Sequence, residues 1–539
     1  MIGMCKRSLL RVALLMSLTG LLAVPQAVGQ AAPVLLVPAP DSVQLAPMLE
    51  YIDRTWDTLT RSHDDLLAAL PDSKIEHTPG TPYPLYVAAS EDPAAVRRTL
   101  SQTLSDAALA QINIQQLPRN PQAHMAQIDP HGLLYLPHPY VVPGGRFNEM
   151  YGWDSYFIQR GLLAAGRLEL AQAMIDNHLY QVRHYGTVLN ANRTYYLTRS
   201  QPPFLTAMIW NVFQATRDTS WLASTLPEIE TYYRYWTQPA HQAGDTGLAR
   251  YWAFGEGPAP EVVMGEVDAD GQTHYDRIRA YYRTHEVTAY DESMYYVAAA
   301  DSLTPLFYKG DRTMRESGFD PTNRFGPFSI DIIHHAPVGL NALLYKMERE
   351  AAQIYATLGR DSTAATWRQR AADRLAAIDR YLWDDAAGTY RDYNFRTQRP
   401  NAYQFATAFY PLWVGAASAE QAQQLVQRLY QFEAPGGLLT SSHITGNQWD
   451  APFGWAPLQL IAVEGLRRYG YTAAADRLAK KFVDLVAKEF SEHRVIVEKY
   501  DMVQRESDVA SGIKYGYSEN VIGFGWTNAT MLVLLEQLR

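Results

Sequence analysis

Around residue 350 the apolar positions of the chain fall three and four apart. In EREAAQIYATLGRDSTAATWRQRAADRLAAIDRYLW, Ile354 and Leu358 end one stripe and Gly359 follows as a helix-terminating residue. Asp361 or Ser362 then caps a second helix, whose inward face reads Trp367, Ala371, Leu375, Ile378 and Leu382. That is a helical hairpin with a very short connection. The arrangement recurs in APLQLIAVEGLRRYG, which stops at Gly470; Thr472 then opens a helix with Ala475, Leu478, Phe482, Leu485 and Val486 inward. Between such helices run long stretches rich in Pro, Gly and aromatic residues, around 130–157, 190–203, 250–263, 308–328 and 432–456. No compositional break marks a linker. Paired helices with elaborate connections predict one large, mostly α domain whose function is carried by the loops. The periodicity does not by itself close the hairpins into a ring.

The N-terminus has a different pattern. MIGMCKRSLLR is basic, VALLMSLTGLLAV is apolar, and small residues surround Ala27-Val28-Gly29. This three-part arrangement predicts a secretory signal peptide over 1–29, with 30–539 as a single domain. The alternative, a membrane anchor, needs a longer apolar run. Removing Lys6, Arg7 and Arg11, and no acidic residue, leaves the remaining chain more acidic than the full-length net charge of −9. That argues against nucleic acid or an anionic membrane as a partner. The only cysteine, Cys5, lies in the signal, so the exported chain is expected to carry no disulfide and no thiolate metal site. The periplasm is the expected destination, with release to the medium as the alternative; a monomer is favoured.

Aromatic residues are abundant, with 35 Tyr against 17 Phe, and they cluster with charges. Five loops carry this combination. PGGRFNEMYGWDSYF holds Arg146, Trp153 and Asp154, and NANRTYYLTRSQPPF holds Asn190, Arg199, Ser200 and Gln201. In RESGFDPTNRF, Asp320 follows Gly318 and Phe319, where an Asx-turn is the plain alternative. GNQWDAPFGWAPLQ presents Gln448, Trp449, Asp450 and Trp455 on a loop that its two prolines keep out of regular helix. In VIVEKYD an apolar run leads directly into Glu498, whose plain alternative is a solvated helix end. Arg, Asp, Asn and Gln read the hydroxyl rim of a sugar, and aromatic rings pack on its C–H faces. Cleaving a glycosidic bond needs two carboxyls, one protonated and one ionised. No HExxH spacing, no G-x-S-x-G elbow and no phosphate loop ending in Lys-Ser/Thr is present.

PGGRFNEMYGWDSYF resembles the first signature of the trehalases of glycoside hydrolase family 37, P-G-G-R-F-x-E-x-Y-x-W-D-x-Y, at every fixed position. QWDAPFGWAP is similar in the same degree to the second, Q-W-D-x-P-x-G-W-x-P. TRSQPP, SGFD, EKYD and GFGWTN extend the resemblance over most of the chain. It implies an all-α (α/α)6 barrel and inverting hydrolysis of α,α-trehalose to two glucoses, with no metal and no cofactor. It also implies Asp320 as general acid and Glu498 as general base. Arg146, Trp153, Asp154, Asn190, Arg199, Ser200, Gln201 and Gly318 match sugar-binding positions, and Gln448, Trp449, Asp450 and Trp455 fall in the second signature. Glu149 is expected to support the first loop rather than to catalyse.

Three departures stand out. Where the family reads Arg-Pro-Glu before Ser-Tyr, this chain has RTHEVTAY, so Glu286 is expected in the glutamate role with Arg283 displaced by a residue. Where a glycine-rich lid ends in Glu-Tyr, SGIKYGYSENVI places Tyr517 in register, with Glu519 nearby. Phe319 and Phe325 stand where tryptophans are usual. The expectations left beside trehalose hydrolysis are a related α-glucosidase of the same fold acting on another α-linked disaccharide, and a non-catalytic sugar-binding homologue.

Overall fold

The computed structural model describes residues 42–265, 271–514, 517 and 519–539. The signal-peptide expectation for 1–29 lies outside the described residues. Thirteen helices organise the chain around its site. The first five are α1 (Ser42–Leu59), α2 (Asp154–Ala164), α3 (Leu168–Tyr185), α4 (Leu205–Thr216) and α5 (Leu226–Thr237). Next come α6 (Pro305–Glu316), α7 (Val338–Thr357), α8 (Asp361–Tyr381) and α9 (Tyr410–Val414). The last are α10 (Ala419–Gln427), α11 (Ala456–Arg468), α12 (Thr472–His493) and α13 (Gly525–Gln537).

Contacts close the ring that periodicity left open. Helix α2 packs on α4, α4 on α7, α7 on α9, α9 on α11, α11 on α13, and α13 returns to α2. An outer layer backs these six: α3 lies against α2 and α4, α8 against α7, α12 against α11, and α1 against α12 and α13. This is an (α/α)6 barrel. Inner helices are apolar nearly all round, as α11 shows with Leu458, Leu460, Ile461, Val463 and Leu466 all buried. Outer helices bury one stripe. In α12 the expected Ala475, Leu478, Phe482, Leu485 and Val486 are fully buried, and in α8 so are Trp367 and Ile378, with Leu375 only partly covered. Each such large apolar side chain contributes about 1.5–3 kcal/mol by leaving water.

One local expectation is corrected. Neither Asp361 nor Ser362 caps α8: Arg360 holds the cap position, at φ −98° and ψ 60°, with no side-chain capping bond. Gly359, at φ +70°, turns the chain so tightly that α8 begins one residue early and Asp361 enters its first turn. A carboxylate there still favours the positive helix end.

Helix α6 stands apart from the ring. Its buried face carries Lys309, Asp311, Arg312, Thr313 and Glu316, a set that belongs to a functional wall rather than to a core. Between α1 and α2 lies a small unit of different character. Here β1 (Tyr83–Val87) is flanked in parallel by β2 (Ile112–Gln116) and β3 (Leu133–Leu134). A second pairing, antiparallel, joins β4 (Phe453–Trp455) to β5 (Lys499–Asp501), with Trp455 opposite Lys499.

Candidate active site

The inner helices α2, α4, α11 and α13 all begin at one end of the ring, and the loops entering them wall a cavity of about 810 Å³, mouth included. Arg146, Trp153 and Asp154 come from the segment entering α2; Asn190, Arg199 and Gln201 come from the loop between α3 and α4. Gly318 and Asp320 follow α6, Trp449 precedes β4, and Glu498 follows α12. Five connections widely separated in sequence therefore meet at one place.

Two glycines let them approach. A Cβ on Gly144 would lie 2.8 Å from the side chains of both Phe524 and Val521, so the Pro-Gly-Gly turn lets the first loop sit against the entry to α13. Gly318 has φ +78° and would place a Cβ 3.0 Å from the Trp153 ring. Trp153 is fixed by its own backbone N–H, which donates to Gln201 Oε1 at 2.9 Å. Its ring meets Phe319, Trp449 and Trp526 with centroids 5.4–5.8 Å away, and Trp449 stacks on Trp455 at 3.8 Å. These rings form an apolar wall beside the polar groups.

The two carboxyls have different surroundings. Asp320 opens to the cavity, its side chain 36% exposed, and is enclosed by protein elsewhere. Burial pushes its pKa up to about 6, against the pull of Arg315, whose Nη1 lies 3.9 Å from Oδ2, and of Arg199. Glu498 is 2% exposed. Burial raises its pKa as well, while Lys499, Tyr517 and Arg146 favour its anion. The Tyr517 hydroxyl donates to Glu498 Oε1, and Lys499 Nζ lies 3.4 Å from Oε2. Asp154 is raised far above the ordinary carboxylate range by burial, with Glu498 and Asp320 adding to the rise.

Five of the expected residues do not line the cavity, and four of these hold those that do. Gln448 bridges the two halves of the site, donating from Nε2 to the Asp320 carbonyl at 2.5 Å and accepting at Oε1 from Lys499 Nζ at 3.2 Å. Asp450 accepts from Thr322 Oγ1 at 2.8 Å, Asn323 N at 3.0 Å and Thr445 Oγ1 at 2.6 Å, which fixes the loop after Asp320. Trp455 donates from Nε1 to the Gln448 carbonyl at 3.0 Å beneath Trp449. Ser200 turns its hydroxyl to the Val188 carbonyl at 2.6 Å, away from the cavity. Glu149, expected as a support, accepts from Arg193 Nε at 2.6 Å.

Glu286 is a correction. It is exposed and does not line the cavity, and Arg283 is paired outside with Asp301 at 2.6 Å. The reason lies in the helix before them, His274–Thr284, which buries His274, Tyr275, Ile278 and Tyr282 and leaves its C-terminal end in solvent. Besides Glu498, the glutamate lining the cavity is Glu261, which follows a proline, Pro260. It accepts from Arg199 Nη2 at 2.5 Å and is buried. Residues missed from sequence include Lys74, Glu261 and Arg315. The Pro-Glu dipeptide was a signal for Glu261, and Arg315 lies about one helical turn before Gly318. Lys74 gave none. In the altered lid, Tyr517 reaches Glu498 and Glu519 pairs with Arg146 at 2.9 Å, so both occupy the place where one glutamate was expected to act.

Known proteins resemble the chain over most of its length. A family model described as trehalase matches residues 44–539. The cytosolic neutral trehalase of Neurospora crassa is 37% identical over 442 residues, which are 74% of this chain and 58% of that protein. The chain thus spans a little under three-fifths of that relative. The periplasmic trehalase of Xanthomonas campestris pv. campestris is 37% identical over 425 residues, 75% of this chain and 69% of that one. Among solved structures, neutral trehalase Nth1 from Saccharomyces cerevisiae superposes with a TM-score of 0.77 at 31% identity, covering 92% of this chain and 94% of that one. A family match from before the first ring helix to the last residue, with a shared fold, leads to one conclusion: this chain belongs to the trehalase family.

Proposed function

We propose that the protein hydrolyses α,α-trehalose to two molecules of glucose with inversion, with Asp320 as general acid and Glu498 as general base. The observation that carries this reading is one cavity holding two carboxyls whose neighbours differ. Asp320 opens to the cavity with a pKa of about 6, a value suited to giving up a proton. Glu498 is flanked by Lys499, Arg146 and the Tyr517 hydroxyl, all of which favour its anion. In the proposed step Asp320 protonates the glycosidic oxygen as the C1–O bond breaks. Glu498 takes a proton from a water that attacks C1 from the opposite face. Inverting sites hold their carboxyls roughly 6.5–9.5 Å apart to admit that water. Arg146, Asp154 and Asn190 supply the hydroxyl contacts, and Trp153 faces a ring.

Inversion of an α,α-linked disaccharide releases one β-glucose, from the sugar that water attacks, and one α-glucose, from the leaving sugar. Proton NMR of the first turnovers should therefore show the two anomers in equal amounts. Two α-glucoses would overturn the assignment. A panel of trehalose, maltose, sucrose, kojibiose and nigerose tests the substrate, and glucose release from another member but not from trehalose would replace this reading with the related α-glucosidase.

We further propose export to the periplasm and a single catalytic domain over 30–539. The basic-apolar-small pattern of residues 1–29 supports this, and periplasmic trehalases are among the relatives, although cytosolic ones also match. Sequencing the N-terminus of protein from the periplasmic fraction should give a start near residue 30. A cytosolic protein starting at Met1 would refute it.

A further inference from the structure

We infer that Lys74, on the segment leading into β1 rather than on any helix of the ring, binds the hydroxyls of the leaving sugar together with Glu261. The inference rests on the proposed hydrolysis of trehalose.

The cavity has two sides. The charged groups acting on Glu498 are Lys499 and Arg146, whereas those acting on Asp320 are Arg315, Arg199 and Glu261. In an inverting reaction the acid stands at the leaving oxygen and the base behind the carbon under attack. The leaving sugar therefore lies on the side of Arg199 and Glu261. Lys74 belongs to that side: it lines the same cavity, and the Tyr195 ring it approaches packs at 4.5 Å on the Tyr196 ring, from whose centroid Arg199 Cζ, the partner of Glu261, is 4.9 Å away.

Three polar groups there are left unused by the protein. Arg199 Nε and Glu261 Oε2 are buried without a hydrogen-bond partner among the described residues. No hydrogen bond engages the Lys74 ammonium among those residues either; its Nζ lies 5.9 Å from the centroid of the Tyr195 ring. Buried donors and acceptors of this kind need a partner, water or ligand, and these face the cavity. An ammonium that donates beside a carboxylate that accepts matches two adjacent hydroxyls, one accepting and one donating. A phosphate would fit worse, because Glu261 would face it.

The segment carrying Lys74 is held firmly. Arg193, 1% exposed, donates to the carbonyls of Leu70 at 2.9 Å, Ala69 at 3.1 Å and Pro71 at 2.9 Å. The Tyr195 hydroxyl donates to Asp72 Oδ2 at 2.7 Å, and Asp72 Oδ1 accepts from the Lys74 backbone N–H at 3.0 Å. Arg193 and Tyr195 belong to the loop that also presents Asn190 and Arg199. One loop thus positions sugar contacts of its own and fixes a cation from a segment more than a hundred residues earlier. Burial opposes the Lys74 charge, while the carboxylates Glu149, Asp72 and Glu261 favour it, and its pKa is raised above the ordinary lysine value.

The rival role is balance: Asp72 and Glu149 together face Arg193, and Lys74 could serve only to neutralise the second carboxylate. α-Glucosyl fluoride separates the two, because it has no leaving sugar. The full-length protein, Lys74→Met and Lys74→Arg are compared on trehalose and on α-glucosyl fluoride, with Tm measured for each. For Lys74→Met the loss of kcat/KM on trehalose should exceed the loss on the fluoride by about ten- to a hundred-fold, the scale of one charge-assisted hydrogen bond. Lys74→Arg should recover part of that difference. Equal losses on both substrates, with a lowered Tm, would assign Lys74 to charge balance and overturn the inference; so would no loss on either. A wild type inactive on trehalose would instead overturn the proposed function, and this inference with it.

Discussion

Asp320→Asn should lower kcat on trehalose by about 10³-fold while leaving α-glucosyl fluoride turnover far less affected, a loss on the scale of general acid catalysis. The glucose leaving group departs only if its oxygen is protonated, whereas fluoride leaves as the anion and needs no acid. The amide keeps the shape of the side chain, and the loop around it is fixed by contacts the substitution does not touch, namely Gln448 on the Asp320 carbonyl and Asp450 on Thr322 and Asn323. The pH dependence follows from the same group. With a pKa of about 6, Asp320 is protonated below that value and loses its proton above it. In the wild type, kcat/KM on trehalose should fall as pH rises through about 6, and the fluoride should show no such limb. Equal losses on both substrates would show that Asp320 does not supply the proton.

The hairpins were readable because an apolar stripe at helical spacing has few other uses in a chain this long. Ala475, Leu478 and Phe482 point inward whatever lies beyond them, so their burial required no knowledge of the partner. Ring closure was not readable, since it rests on α13 returning to α2 across nearly the whole chain, and periodicity carries no information about such pairings. The small parallel sheet was hidden for a similar reason. Its strands are at most five residues long, and β3 has two, too few for an alternating pattern to register. Its parallel neighbours are brought together only by the fold.

Within the site, legibility followed motif length. Arg146, Trp153 and Asp154 lie in one run of fixed residues, and all three line the cavity. The second signature was equally visible, yet Gln448, Asp450 and Trp455 stand behind Trp449, because a loop motif records which residues a site needs without recording which of them touch the ligand. Glu286 against Glu261 shows the opposite case. The dipeptide Pro-Glu is short enough to occur by chance, and only burial against Arg199 distinguishes the glutamate that matters. Lys74 could not have been found in advance: its place depends on Arg193 holding three carbonyls of a segment about 120 residues away.

Glu498→Gln should reduce kcat on trehalose by about 10³- to 10⁴-fold, and α-glucosyl fluoride should suffer with it, since both substrates need an activated water. This pairing of losses is the signature that separates base from acid. Glu498 is held at three points: Tyr517 donates to Oε1, Lys499 Nζ lies 3.4 Å from Oε2, and Trp526 Nε1 donates to the residue's backbone carbonyl at 3.1 Å. Lys499 is itself fully buried, 3.2 Å from Gln448 Oε1, and sits 3.9 Å from the centre of the Tyr517 ring. An amide at position 498 keeps the packing but leaves this ammonium without its counter-ion, so the variant's Tm should be recorded beside its rate. Glu498→Ala provides the stronger test. Removing the carboxylate opens space behind the reacting carbon, where azide, which needs no base, can attack C1. Added azide should restore turnover of the fluoride and yield β-glucosyl azide, because attack occurs on the face opposite the departing group. An α-configured azide would mean net retention, and so a double displacement, which would overturn the inverting reading. Wild-type rates in both variants would remove Glu498 from the reaction altogether, and with it the division of the cavity on which the placement of the leaving sugar rests.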